Sequence, residues 1–533
     1  MRSKTDSILI IPNENELPSH YADQLGTAYS ISVTQEHKKG KGQFFTPTPI
    51  ARLMASLVTY SSTTIQLLDP GCGTAVLSCA LIERLVKNNR EIQKIELTAY
   101  ETDLSLIPYT ELSLSYLSKW LKAVNISFEF FIIQKDFILE NADALIEMPQ
   151  MFFSDSKKFD LIISNPPYFK LSKEDKKTKA AQTIVSGHAN IYSIFMAVAA
   201  KLLKENGELI FITPRSFTSG NYFKAFRKFF FDKVQLDNIH LFVSRKDTFN
   251  RDNVLQETVI IKASRRLIIN PNGEVIISSN HGLNDIDNPT TKSFPLKDLI
   301  DLNSNEKILH FPINDSEERI LHIFKNWKGN LNQYNIQIST GPVVAFRALE
   351  FIQDYYENGT VFLAPLIWLH NVGKMSMAWP IDKPNKGQYI KILPESRSLL
   401  IPNKNYILLR RFSSKDDKSR LVAAPYFSNT INAELIGVEN KVNYIYRPKG
   451  HLENNELVGL CALLNSELFD NYFRIFNGNV NVSASELREI SLPPLDNIKY
   501  IGDKVILSDN YSVENINQIV NEQFDPDKIL ADG

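Results

Sequence analysis

The chain has 533 residues, with 59 Lys and Arg against 60 Asp and Glu, a net charge of −1, and 43% hydrophobic residues. That length predicts two or three domains, and the charge balance excludes a wholly basic coat, so a nucleic-acid surface would need local clusters of Lys and Arg. Three cysteines without a CxxC pair exclude a disulfide scaffold, no apolar run is long enough to span a bilayer, and the N-terminus MRSKTDSILI lacks a signal peptide's apolar core. The expected location is therefore cytoplasmic, without a membrane partner.

Residues 1–45 read as a polar N-terminal arm closing on the basic stretch HKKGKGQ. The pattern PIARLMASLVTY then predicts a helix, with Pro49 suited to its first turn. From Ile65 to about Lys262, short apolar runs (IQLLDP, IELTAYE, FEFFIIQKDF, FDLIISNPPY, ELIFITP) alternate with amphipathic stretches. Strand alternating with helix predicts an open, mostly parallel α/β sheet over a catalytic domain, 46–265, with ligands outside the carboxyl ends of its strands. RRLIINPNGEVIISS suggests a β-hairpin about Asn272-Gly273. Residues 266–497 read as a second, mixed α+β domain, and 498–533 as a polar tail.

The strand ends carry the chemistry. The first runs into LLDPGCGTA, where Gly71 and Gly73 allow a tight turn into a helix whose N-terminus offers unpaired N–H groups. No GK[ST] follows, which disfavours a P-loop, and Ala75 and Val76 stand where a dinucleotide fingerprint has its third glycine. The second strand ends in AYETD, placing Glu101 where an acid can bind a ribose diol, while Asp103 suits a helix cap. The third ends in QKDF, offering Asp136 as acceptor for an adenine amine and Phe137 as a flat apolar contact. The fourth, FDLIIS, stops at Asn165-Pro166-Pro167-Tyr168. Prolines cannot continue a ladder, so the pair forms a stiff turn from which Asn165 and Tyr168 project.

These residues, in this order, resemble the gamma-class N6-adenine DNA methyltransferases of restriction–modification systems. The resemblance covers GQFFTP, LLDPGCGTA, YETD, KDF, SNPPY, NIYSIFMAVAAKLLKENGELIFITP, FTSGNYFKAFRKFF and FNRDNVLQETVIIK, roughly residues 38–263. One departure is Ala75, where the family often has glycine. The resemblance implies a Rossmann-like, S-adenosylmethionine-dependent methyltransferase sheet followed by a DNA-recognition domain. It implies cofactor contacts from Asp69, Gly71, Gly73, Glu101, Asp136 and Phe137. Thr46 falls beside the methionine end, or serves only as a helix N-cap; Phe195 packs near the cofactor's adenine, or only in the core. The Asn165 side-chain oxygen and the Pro166 carbonyl would accept the two protons of the target amine, with Pro167 stiffening the bracket. Tyr168 would stack on the face of the flipped base, and Phe249 would supply a second aromatic against it, or serve only as a core residue entering a strand. Cytosine C5 chemistry needs a thiolate, generally in a Pro-Cys pair, and no cysteine here follows a proline. Cytosine N4 remains open, although Ser is more frequent there in place of Asn165. No metal is implied.

The second domain resembles the recognition part of the same enzymes in TGPVVAFRALEF, NYILLRRFSSKDDKSRLVAAPY and NKVNYIYRPKGHL. Arg410, Arg411, Lys415, Arg447 and Lys449, with Lys418, Arg420 and interleaved tyrosines, are candidates for phosphate contacts and base readout. The lysine-rich stretch Lys170 to Asn190 reads as a mobile loop that orders on DNA. The expected partner is double-stranded DNA, met by a monomer. A separate restriction endonuclease is expected, because the stretch ahead of the motifs is too short for a nuclease domain. An RNA adenine methyltransferase and a protein glutamine methyltransferase share the amine chemistry, although the latter are much shorter chains.

Overall fold

The computed structural model describes residues 10–145, 157–185, 189–242, 257–354, 362–413, 417–477 and 481–524. The chain divides into two compact units, Met1–Ile313 and Asn314–Gly533. Among the described residues no helix is long and apolar enough to cross a membrane.

The first unit is built on a nine-stranded sheet. Its strands are β1 (Thr64–Asp69), β2 (Lys94–Tyr100), β3 (Ser127–Ile133), β4 (Phe159–Ser164), β5 (Leu203–Pro214), β6 (Val234–Phe242), β7 (Thr258–Arg265), β8 (Glu274–Asn280) and β9 (Thr290–Pro295). Their order is β3-β2-β1-β4-β5-β7-β6-β8-β9. The run from β3 to β5 is parallel, and β7 enters antiparallel between β5 and β6. Strand order reverses between β1 and β4, and a cleft opens at such a switch point beyond the carboxyl ends.

Alternation along the central strands divides the interior into two cores. Ile162, Leu209 and Phe211 join one, while Leu161, Ile163, Ile210 and Ile212 join the other. Successive residues point to opposite faces, so a strand buried on both reads as a continuous apolar run. The connecting helices pair with this pattern: α4 (Val76–Asn88) and α5 (Ile107–Ala123) cover one face, and α8 (Ile191–Leu202) covers the other.

Four expectations are corrected by this fold. Residues 18–32 are not part of an arm: α1 (Pro18–Ser32) buries Tyr21, Ala22, Leu25 and Tyr29. Tyr21 packs edge-on to Tyr116, and Tyr29 to Tyr109, on α5. The helical spacing of those four residues is the cause. The Asn272-Gly273 turn does not close a hairpin, because β8 crosses over to lie parallel to β6 and makes its hairpin with β9. The first unit therefore continues to Ile313 rather than to 265.

The second unit holds a four-stranded sheet in the order Gln337–Thr340, Val442–Tyr446, Tyr406–Arg410, Ala423–Tyr426, antiparallel throughout. A five-stranded sheet of short segments includes Leu363–Ile367 and Leu435–Val438. Residues 498–524, read as a polar tail, are largely helical: helix Leu495–Ser508 packs on helix Asn454–Asn465, and helix Val513–Phe524 follows it. Glycines let the two backbones meet, since a Cβ at Gly459 would lie 1.9 Å from the Ile498 carbonyl and one at Gly502 1.9 Å from that of Asn455.

Candidate active site

Beyond β1, the turn Pro70 to Ala75 leads into α4. Gly71 takes φ +156° and Gly73 φ +54°, and Ala75 is also left-handed at φ 64°. The departure from glycine thus stands at a position where an L side chain is strained. Asp69 is buried and accepts from Ser78 Oγ at 2.6 Å, bridging the end of β1 to the first turn of α4. Burial raises its carboxyl from the ordinary 3.8 to about 7.

At the end of β2, Glu101 accepts from the Gly73 N–H at 3.2 Å and from the N–H groups of Thr102 and Asp103, both at 2.8 Å. Burial raises its pKa. After β3, Asp136 caps the short helix α6 (Phe137–Glu140), its Oδ1 accepting from Ile138 and Leu139 N–H at 3.0 Å each. Its other oxygen lies 3.4 Å from Lys177 Nζ. Phe137 and Phe195 pack together with ring centroids 5.1 Å apart.

The Asn165 amide is held from two sides. Its Nδ2 donates to the Phe44 carbonyl at 3.1 Å and to Thr46 Oγ1 at 2.9 Å. Its Oδ1 accepts from the Tyr168 hydroxyl at 2.5 Å, and that hydroxyl also lies 3.0 Å from the Ile212 carbonyl. The Tyr168 ring stacks on Phe44 with centroids 5.5 Å apart, and burial pushes its phenol pKa up. Thr46 does not cap a helix: the N-cap of α3 (Thr48–Ser56) is Pro47. At Gly42, φ is +62° and a Cβ would lie 2.7 Å from the Phe169 ring, so GQFFTP meets NPPYF at glycine distance.

These elements enclose one cavity of about 380 Å³. Thr46, Gly71, Gly73, Glu101, Asp136 and Phe137 line it, as do Asn165, Pro167 and Phe195. Asp69, Pro166 and Tyr168 are not among the lining residues. Phe249 lies outside the described residues. Two features escaped the sequence reading. Asp103 is a hub rather than a helix cap, accepting from Tyr29, His37, Gln43 and Ser105 side chains. Burial opposes its charge, but those hydrogen bonds outweigh it and hold the carboxyl well below the usual range. Lys177, in the lysine-rich stretch, lines the cavity beside Asp136. That stretch is anchored in part, because Ala181 and Ile184 are buried and Lys170 bridges to Asn190; residues 186–188 lie outside the description.

The Eco57I restriction-modification methylase family model matches residues 54–249. The type II methyltransferase M.PstI of Providencia stuartii is 31% identical, over 94% of this chain and 96% of its own length. The type II methyltransferase M.BsuBI of Bacillus subtilis is 33% identical over 92% and 94%. The chain belongs to the type II methyltransferases of restriction–modification. Among solved structures, the DrdV–DNA complex aligns at 13% identity and a TM-score of 0.49, covering 91% of this chain and 59% of that one.

The basic candidates in the methylase's second unit separate by what they touch. Arg410 Nε donates to the Val372 carbonyl at 2.6 Å, and Arg411 to that of Asn440 at 3.1 Å. Arg447 donates to the Tyr334 carbonyl at 3.1 Å and pairs with buried Glu456 at 2.8 Å. Arg420 is buried, donating to Asn477 Oδ1 at 2.7 Å. Each is engaged in holding this unit together. Lys418 and Lys449 are exposed, and Lys415 lies outside the described residues.

Proposed function

We propose that this methylase transfers a methyl group from S-adenosylmethionine to N6 of an adenine flipped out of double-stranded DNA, at a specific site, protecting host DNA from a separate restriction endonuclease. The observation that carries this reading is that Asn165 opens into the same cavity as Glu101 and Asp136.

The lining fits the cofactor. Glu101 presents a carboxylate beside the Gly73 N–H, the arrangement that binds a ribose diol. Asp136 keeps one oxygen off the helix cap, and Phe137 with Phe195 supplies flat apolar surface for a purine. When bound, S-adenosylmethionine supplies a methyl group on a sulfonium sulfur.

The chain's own residues then address the weakness of the nucleophile. An adenine amine is poorly nucleophilic because its lone pair is delocalised into the ring. Asn165 Oδ1 and the Pro166 carbonyl accept its two protons, which favours a pyramidal nitrogen with its lone pair toward the methyl. Both acceptors sit on a stiff turn, so they need no reorganisation as charge develops. Tyr168, and Phe249 by resemblance, grip the base face by stacking.

Single-molecule sequencing of DNA from a host expressing this chain alone tests the reading. N6-methyladenine at one short recurring motif is expected. Unmodified adenines, or N4-methylcytosine in their place, would overturn it.

A further inference from the structure

We infer that Thr46, together with the Phe44 carbonyl, sets which end of the Asn165 amide faces the substrate, making Thr46 a positioning residue for methyl transfer. The inference rests on the proposed role of Asn165 as amine acceptor.

A primary amide is nearly symmetric in shape, and a half-turn about its terminal bond exchanges oxygen for NH₂. Only one of those two states is useful. With oxygen toward the substrate, Asn165 accepts a proton from the target amine; with nitrogen there, donor meets donor. Something must therefore hold the flip.

The surroundings supply that restraint. The Phe44 carbonyl can only accept, so the amide end 3.1 Å away must be the nitrogen. Thr46 Oγ1 takes the second amide proton at 2.9 Å. Both protons are thus committed to residues 44–46. A flip would break both bonds and set two acceptor oxygens against each other at Phe44. The oxygen end, meanwhile, has two lone pairs. The Tyr168 hydroxyl uses one, leaving one for an amine proton. Tyr168 also has the Ile212 carbonyl within 3.0 Å, a second acceptor for its single proton when a substrate donor approaches Oδ1.

The holding segment is itself fixed. Gln43 donates to Asp103 at 2.9 Å, the same carboxylate that accepts from Tyr29 on α1. The Phe45 ring packs against Tyr29 with centroids 5.7 Å apart. Just beyond, Thr48 Oγ1 donates to Asp23 at 2.9 Å. Thr46 is buried between these anchors. The fixed points on both sides make residues 44–46 a template for the amide.

The test compares Thr46→Val, which keeps the shape and removes the acceptor, with Thr46→Ser, which keeps the acceptor. Single-turnover methylation of duplex DNA carrying the recognition motif is measured alongside S-adenosylmethionine affinity and thermal unfolding. The valine variant should lose about tenfold in rate, the worth of one buried hydrogen bond, with cofactor affinity and KM for DNA little changed. The serine variant should stay near the parent. In an Asn165→Ala background, Thr46→Val should have no further effect, because there is no amide left to orient. If the valine variant unfolds, Thr46→Ala repeats the comparison without the added methyl. An undiminished rate in the valine variant, a serine variant as slow as valine, or a loss confined to cofactor affinity would overturn the inference. A parent chain that methylates no adenine would instead overturn the proposed function.

Discussion

The polar side chains at the strand ends of the first unit and those of the second unit's sheets are used differently. Glu101, Asp136 and Asn165 are each anchored by neighbouring donors or acceptors yet keep an edge on a common cavity. In the second unit, Asn403 donates to the carbonyls of Ser428, Ile431 and Ala433 and accepts from Tyr426. Arg410, Arg420 and Arg447 likewise bind their own scaffold. The difference follows from regularity. Long parallel strands satisfy their own backbone and all finish at one edge, leaving terminal side chains available. Strands of two to five residues joined by irregular segments, such as Ile352–Gln353 and Val442–Tyr446, leave carbonyls that side chains must meet.

Asp69 is the strand-end acid that breaks this pattern, and it gives the largest stability effect. Its folded-state pKa is raised from 3.8 to about 7, so the folded state binds a proton that the unfolded chain has released. Stability from this group is full below pH 4 and is lost as pH rises through about 7. Melting curves from pH 4 to 8 should show the parent losing roughly 2–4 kcal/mol relative to Asp69→Asn, which cannot ionise. Parallel curves would place Asp69 with the open acids instead.

Next in size is Arg447→Ala, which leaves buried Glu456 with only the Glu453 N–H at 3.1 Å and the more distant Lys499 ammonium at 3.5 Å, and should cost about 1–3 kcal/mol in denaturant unfolding. Once that loss is allowed for, the salt dependence of DNA binding should be unchanged. Ala75→Gly should stabilise the chain by about 1 kcal/mol, by relieving the left-handed conformation that alanine adopts here. No gain in the melting temperature would contradict that strain. Smallest in stability is Lys449→Ala, at an exposed position, with little effect on unfolding; its slope of log affinity against log salt should fall by about 1 if it contacts a phosphate. An altered slope for Arg447 and none for Lys449 would reverse the division between scaffold and surface.

The sheet from Ile65 to Lys262 was legible because strand and helix periods alternate cleanly there, and its strand ends carried Glu101, Asp136 and Asn165 to one place. The fate of Asp69 was not, since a terminal acid facing the cavity and one turned to Ser78 share the same local sequence. Asp103 was misread because its partners Tyr29, His37 and Gln43 come from a segment that looks polar and irregular, although its Tyr21, Leu25 and Tyr29 stripe marks a buried helix face. The basic residues of the second unit show the limit most clearly. Arg447 and Lys449 are neighbours in sequence, and only the position of Glu456 separates a scaffold ion pair from an exposed charge.

The central claim is that the amide at the end of β4 accepts the target amine's proton in a cavity shared with the cofactor acids. Single-turnover methylation by Asn165→Ala, measured with S-adenosylmethionine affinity in the same preparation, tests it most directly. The rate should fall by roughly 10²–10³ while cofactor affinity is largely retained. A variant that methylates duplex DNA at the parent's rate would contradict the claim.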